Sequence, residues 1–365
     1  MKNPDKLLSD LKYLLALAME RHDADSIPDD LSFGDWPEWD SLTHVSFLIG
    51  INGRFGVMPT PEEIPYTTSL SKLVMFLRTC FNEERNLSIT KQRTCEWGDI
   101  FNKLSQDIKV GDNSCIYVHS RMSSLMNNEI GGMDKLVSIL QGKDAGRTLV
   151  FPAFPFTSKS YSHYINNRAQ FSVKNSIVLT GLLPEYVLKS ERPVYRSAHP
   201  LLSDMAVGPK AEWVISAAHL APDPFHRDSS YMRLINDDAL MIGIGLDINT
   251  NAFIHYVDDH YRERYPFDIY MPEPLEFKIE HVDGRLETRS YLAYSPDMTR
   301  RIKPRNLRPY FSSAPEIVRE VSYKGISFFV IRIRPFLERC MEIAENALRN
   351  AQIPPWFVNV DEKGS

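Results

Sequence analysis

Between residues 5 and 82 apolar positions recur every three or four residues. Leu7, Leu8, Leu11, Leu14, Leu15 and Ala18 form one stripe, Leu42, Val45, Leu48 and Ile49 a second, and the run TTSLSKLVMFLRTCF a third. A stripe of that period is the buried face of an amphipathic helix, so this part of the chain is predicted to be a bundle of three or four short helices. The polar, proline-bearing DADSIPDD closes the first helix, Pro59 and Pro61 break the chain after the second, and Thr68 or Ser69 caps the third. NEERNLSITKQRT (82–94) has no core pattern and reads as a linker. The expected boundaries are a helical domain over 1–84, a linker over 85–95 and a second domain over 96–365.

Past the linker the period changes. SCIYVHS, RTLVFPAF and DALMIGIG are short apolar runs of strand length, alternating with helical GMDKLVSILQG and GPKAEWVISAAHL. Alternation of that kind predicts an α/β domain with a mainly parallel sheet. LEFKIEHV and ISFFVIRI add strands, and a helix is expected around 336–350. The glycines of IGIGLD imitate part of a dinucleotide fingerprint, but the third glycine and the following helix are missing, so no nucleotide role is assigned to them.

Composition narrows the classes. At 365 residues and 43% hydrophobic, the chain is long and apolar enough for a small domain and a medium one. A net charge of −5 with scattered basic residues argues against a nucleic-acid partner. Cys80, Cys95, Cys115 and Cys340 form no CxxC pair, which suits a reducing compartment. The first stripe is interrupted by charge, unlike a signal peptide or membrane span. A soluble cytoplasmic protein is expected.

Ser41 sits where the second helix begins, and serine is a common N-cap. Its context adds a second reading. WDSL, an amphipathic helix, RFGV, a loop bearing proline and glutamate, and TTSLSKLVMFL follow one another in the order of an acyl carrier protein, which residues 5–82 resemble. The resemblance implies 4′-phosphopantetheine on Ser41, attached by a phosphopantetheinyl transferase and charged by an acyl-loading enzyme. A helix N-terminus, with unpaired N–H groups and the positive dipole end, suits the phosphodiester. Thr43, His44 and Ser46 stand on the helix where carrier proteins usually bear acids, a departure that bears on recognition by partner enzymes.

The second domain carries VHSRMSSL (118–125), TLVFPAF, SAHP, DPFHRDS and TNAFIHYVDD, in that order. From about residue 97 to at least 265 it resembles the aminoglycoside 3-N-acetyltransferase family, whose members move an acetyl group from coenzyme A to a sugar amine. The resemblance implies that family's α/β fold, a catalytic role for His199, and a histidine–acid element made of His255 and Asp258. Asp258 is one methylene shorter than the usual glutamate, and the neighbouring Asp259 stands as the alternative. His119, Ser120, Ser123 and Ser124 match the loop lining the donor's pantetheine tunnel.

The chemistry asks for the same groups. An amine attacking a thioester must lose a proton, and an imidazole oriented by an acid can take it. The oxyanion needs donors, for which Ser120, Ser123 and Ser124 are candidates. No cysteine is placed for a covalent acyl-enzyme. The reading is direct N-acyl transfer from a phosphopantetheine thioester, on the carrier domain or coenzyme A, to an amino sugar, with a sugar nucleotide as the expected acceptor. Tethering the donor raises its effective concentration to about the millimolar range. Other readings stay open: acetyl-CoA-dependent acetylation of aminoglycosides with a vestigial carrier domain, a non-catalytic carrier or docking protein, a secondary-metabolite amine as acceptor, a backbone-satisfied core histidine at 199, and a metal at His255 and Asp258. No metal is expected, since a second set of ligands is missing.

Overall fold

The computed structural model describes residues 4–82, 96–104, 114–121, 133–301 and 307–357, apart from positions 20, 22, 40, 56, 58, 60–62, 158, 159, 169, 324 and 325. These residues divide into two compact units, one within 1–94 and one within 95–365. The expected linker 85–95 lies outside the described residues.

In the first unit the stripes become helices α1 (Pro4–Ala18), α2 (Ser41–Phe55) and α3 (Leu70–Asn82). Leu7, Leu11 and Leu15 of α1, Phe47, Leu48 and Ile51 of α2 and Leu70, Leu73 and Leu77 of α3 close one apolar core with Trp39. Each such side chain contributes roughly 1.5–3 kcal/mol on full burial. Of the two cap candidates it is Ser69 that accepts from the Lys72 backbone N–H, at 3.2 Å. His44 does not lie on an outer face. It is buried, Nδ1 accepts from the Trp39 indole N–H at 3.1 Å, and Nε2 meets Thr67 Oγ1 at 3.0 Å.

The helices of the second unit are α4 (Glu96–Leu104), α5 (Met133–Gln141), α6 (Tyr161–Asn167), α7 (Leu182–Leu188), α8 (Ala211–Ile215), α9 (Ser230–Asn236), α10 (His255–His260), α11 (Pro296–Arg301), α12 (Arg308–Phe311) and α13 (Ile333–Arg349). Its strands are β1 (Cys115–Ser120), β2 (Thr148–Phe151), β3 (Phe171–Ser172), β4 (Tyr195–Arg196), β5 (Met205–Val207), β6 (Leu240–Ile244), β7 (Leu275–Glu280), β8 (Leu286–Tyr291), β9 (Val318–Tyr323) and β10 (Ile326–Arg332). Seven strands form one sheet in the order β4-β5-β2-β1-β6-β10-β9, and β3-β7-β8 form another.

The expectation of a mainly parallel sheet is corrected here. In the seven-stranded sheet only β2, β1 and β6 run parallel, and the flanking pairs are antiparallel. The parallel centre is buried on both faces and so reads as continuous apolar runs, while β4 and β5 return as short antiparallel strands. The smaller sheet is a second departure. Phe277 and Ile279 of β7 turn inward while neighbours face out, as expected of a sheet with one covered face.

Both glycines of IGIG have structural reasons. Opposite Gly243 on β10 lies Phe329, and a Cβ built on Gly243 would stand 1.9 Å from Phe329 Cε1. The bare backbone is the seat of that ring. Gly245, at φ +68°, takes the left-handed turn that leaves the strand. Among the described residues no helix is long and apolar enough to cross a membrane.

Candidate active site

In open α/β sheets ligands gather outside the carboxyl ends of parallel strands, where the chain order reverses. Here that place is the end of β1, which pairs with β2 on one side and β6 on the other. His119 and Ser120 are the last residues of β1. The Ser120 hydroxyl oxygen is buried and has no hydrogen-bond partner among the described residues. The next backbone N–H, of Arg121, donates to the Ile244 carbonyl at 2.8 Å and is therefore not offered to a ligand. Ser123 and Ser124 lie outside the described residues.

The chain leaving β6 passes through Asn251, whose Oδ1 accepts from the Phe253 N–H at 2.7 Å, and enters α10 at His255. His255 and Asp258 are one helical turn apart, so their side chains share a face. His255 Nδ1 lies 2.8 Å from Asp258 Oδ2. A carboxylate only accepts, so Nδ1 carries the proton and Nε2 is the basic nitrogen. The His255 side chain keeps 15% of its surface exposed while that of Asp258 has none. Asp258 is further held through Oδ1, which accepts from the Trp356 indole N–H at 2.8 Å and the Tyr265 hydroxyl at 3.4 Å. Asp259 turns elsewhere, accepting from Tyr270 and Arg262 at 2.8 and 3.1 Å. The open choice between the two acids thus has a geometric answer: Asp258 is the one that touches the imidazole.

His199 occupies a different setting. Its loop precedes β5, and Ser197 N–H donates to the Asp204 carbonyl at 2.8 Å across the loop's neck. Inside, Nδ1 of His199 accepts from the backbone N–H groups of Leu201 and Leu202 at 3.1 and 3.0 Å. Backbone N–H groups only donate, so Nδ1 presents its lone pair and Nε2 bears the proton. Nε2 approaches the Ala221 carbonyl without completing a well-formed bond. The ring lies 4.1 Å from that of Tyr291 and the residue is 1% exposed. Burial, with no carboxylate to offset it, pushes the imidazole down to about 3.

Sequence reasoning missed two residues that shape this loop. Arg196 buries its guanidinium beneath it and donates to the carbonyls of Ala153, Val173, Ser176 and Ile177. Asp204 is wholly buried, accepts from Ser230 Oγ at 2.5 Å and Tyr117 OH at 3.3 Å, and is pushed up to about 7 by desolvation. The signal for both was a charged residue inside an apolar run. For Trp356 no local signal exists, since its acceptor is 98 residues away.

Ser41 is the first residue of α2, and its side chain lies outside what is described.

A family model described as aminoglycoside 3-N-acetyltransferase matches residues 117–345. The fold is similar to that of the apoenzyme of aminoglycoside acetyltransferase AAC(3)-IVa, with a TM-score of 0.53 and 20% identity over 75% of this chain and 95% of that one. AAC-IIIb in a binary complex with CoASH has a TM-score of 0.51 and 15% identity over 68% of this chain and 96% of that one. For AAC(3)-IIb the values are 0.50, 18%, 68% and 96%. No curated protein matches the chain. The family match begins at residue 117 and does not extend to the helical unit.

Proposed function

Because the chain belongs to the aminoglycoside 3-N-acetyltransferase family and is thereby an N-acyltransferase, we propose that it moves an acyl group from a pantetheine thioester to the amine of an amino sugar with His255 as general base. The observation that carries this reading is the His255–Asp258 pair, at 2.8 Å, on the helix that follows β6. With Nδ1–H committed to Asp258, Nε2 of His255 takes the proton from the attacking amine. A C–N bond forms, the C–S bond breaks, and the proton passes on to the departing thiolate. The Ser120 hydroxyl, buried and without a partner among the described residues, is the oxyanion donor. His199 is given a supporting part: its Nδ1 is taken by two backbone donors, so it braces the loop. Coenzyme A as donor is supported by the similar fold solved with it.

The finer reading is that the acyl group rides on Ser41 of the helical unit and that the acceptor is a nucleotide-linked amino sugar. It is supported by the motif order over residues 5–82 and by the start of α2 at Ser41. Intact mass after co-expression with a phosphopantetheinyl transferase tests it. The expected result is a phosphopantetheine adduct that Ser41→Ala abolishes. Rapid acetylation of an aminoglycoside from acetyl-CoA by the unmodified protein would defeat the dedicated-carrier reading and leave the N-acyltransferase.

A further inference from the structure

We propose that Trp356 is a positioning residue of the transfer centre, its indole N–H fixing the Asp258 carboxylate in the one orientation that holds the His255 tautomer. The proposal rests on the reading of His255 as base. Asp258 is fully buried, and a buried carboxylate persists only when donors surround it. Its donors come from three places in the chain: His255 one turn earlier, Tyr265 seven residues on, and Trp356 far downstream. Trp356 and Tyr265 both take Oδ1, which leaves Oδ2 to His255 and prevents the carboxylate from turning about its own axis.

The indole is itself immobilised. It is 2% exposed, and the next residue, Phe357, packs edge-on against Tyr265 and Phe267 with centroids 5.4 and 5.1 Å apart. A 2.8 Å N–H bond to a carboxylate belongs to the stronger, charge-assisted class, whereas the Tyr265 bond at 3.4 Å is long. The indole is therefore the principal anchor. Other groups facing the pair are Tyr294, whose ring is 5.4 Å from that of His255, and beyond it Tyr270, Tyr231 and Asp259. Among the described residues none of these donates a hydrogen bond to Asp258.

The alternative is that the indole only fills the core and its N–H takes the nearest acceptor, in which case His255 would be indifferent to losing that N–H. Ring ¹⁵N shifts of His255 in the full-length, histidine-labelled protein separate the two. The wild type is expected to hold the proton on Nδ1. In Trp356→Phe the ring shifts move toward a mixture of tautomers, and kcat falls about tenfold with KM little changed, a share of the ~10²–10⁴ that a positioned base supplies. Tyr265→Phe moves the shifts in the same direction by less. A His255 spectrum in folded Trp356→Phe that superposes on the wild type overturns the proposal.

If that variant does not fold, the wild type alone decides. The indole ¹H–¹⁵N resonance of Trp356 should move with the same midpoint as the titration of His255, and an indole signal that ignores this titration overturns the proposal. Full transfer activity in His255→Ala would instead overturn the base reading, and this proposal with it.

Discussion

Two histidines of one unit, each embedded in a family motif, have opposite surroundings. On α10 the Nδ1 of His255 faces a buried carboxylate, while in the loop before β5 the Nδ1 of His199 faces two backbone donors. The carboxylate stabilises an added proton, and the backbone donors oppose one. On the proposed reading His255 is the one that changes protonation state within a reaction cycle, and His199 keeps one state throughout. Whether an imidazole acts or braces is decided by what its second nitrogen touches, and no motif states that.

The comparison is broken most sharply by kinetics. His255→Ala is expected to lower kcat by on the order of 10³, inside the range for loss of a positioned base, measured as thioester consumption with saturating acceptor. A loss of less than tenfold would return the base to His199. His199→Ala should act mainly on stability. It orphans the Leu201 and Leu202 N–H groups, at about 1–3 kcal/mol each, and lowers the denaturant midpoint while the folded fraction retains most of its turnover.

The pH profile sharpens the contrast further. His199, down to about 3 when folded against 6.5 when free, stays neutral where the unfolded chain takes up a proton. Its contribution is complete above pH 6.5 and is lost as pH falls toward about 3. Asp204, up to about 7 against 3.8, works the other way, contributing fully below pH 3.8 and losing that contribution as pH rises through about 7. The slope is at most roughly 1.4 kcal/mol per pH unit for one proton. Asp204→Asn should therefore gain on the wild type steadily as pH climbs between those two values, followed by chemical denaturation. A constant difference between the two proteins would mean that Asp204 is ionised throughout.

Much of this was legible beforehand. The stripes of α1–α3 and the apolar runs of β1, β2, β6, β7 and β10 gave away their elements because burial sets periodicity. Strand direction was not legible, since an apolar run reports that both faces are covered and nothing about polarity; hence the mixed sheet. Residues Glu96–Leu104, directly after the expected linker, form a helix that no stretch had suggested. Of the candidate site, the pairing of His255 with Asp258 was legible because the two lie one helical turn apart. Trp356 and Tyr265 were not, because contacts across folded layers leave no trace in spacing.

The seat of Phe329 on Gly243 has a consequence for how the molecule is made. The strand that launches α10 is braced by a ring eighty-odd positions later, and the carboxylate behind His255 receives its indole later still. During synthesis the pair on α10 therefore gains its indole donor only after residue 356 has emerged from the ribosome.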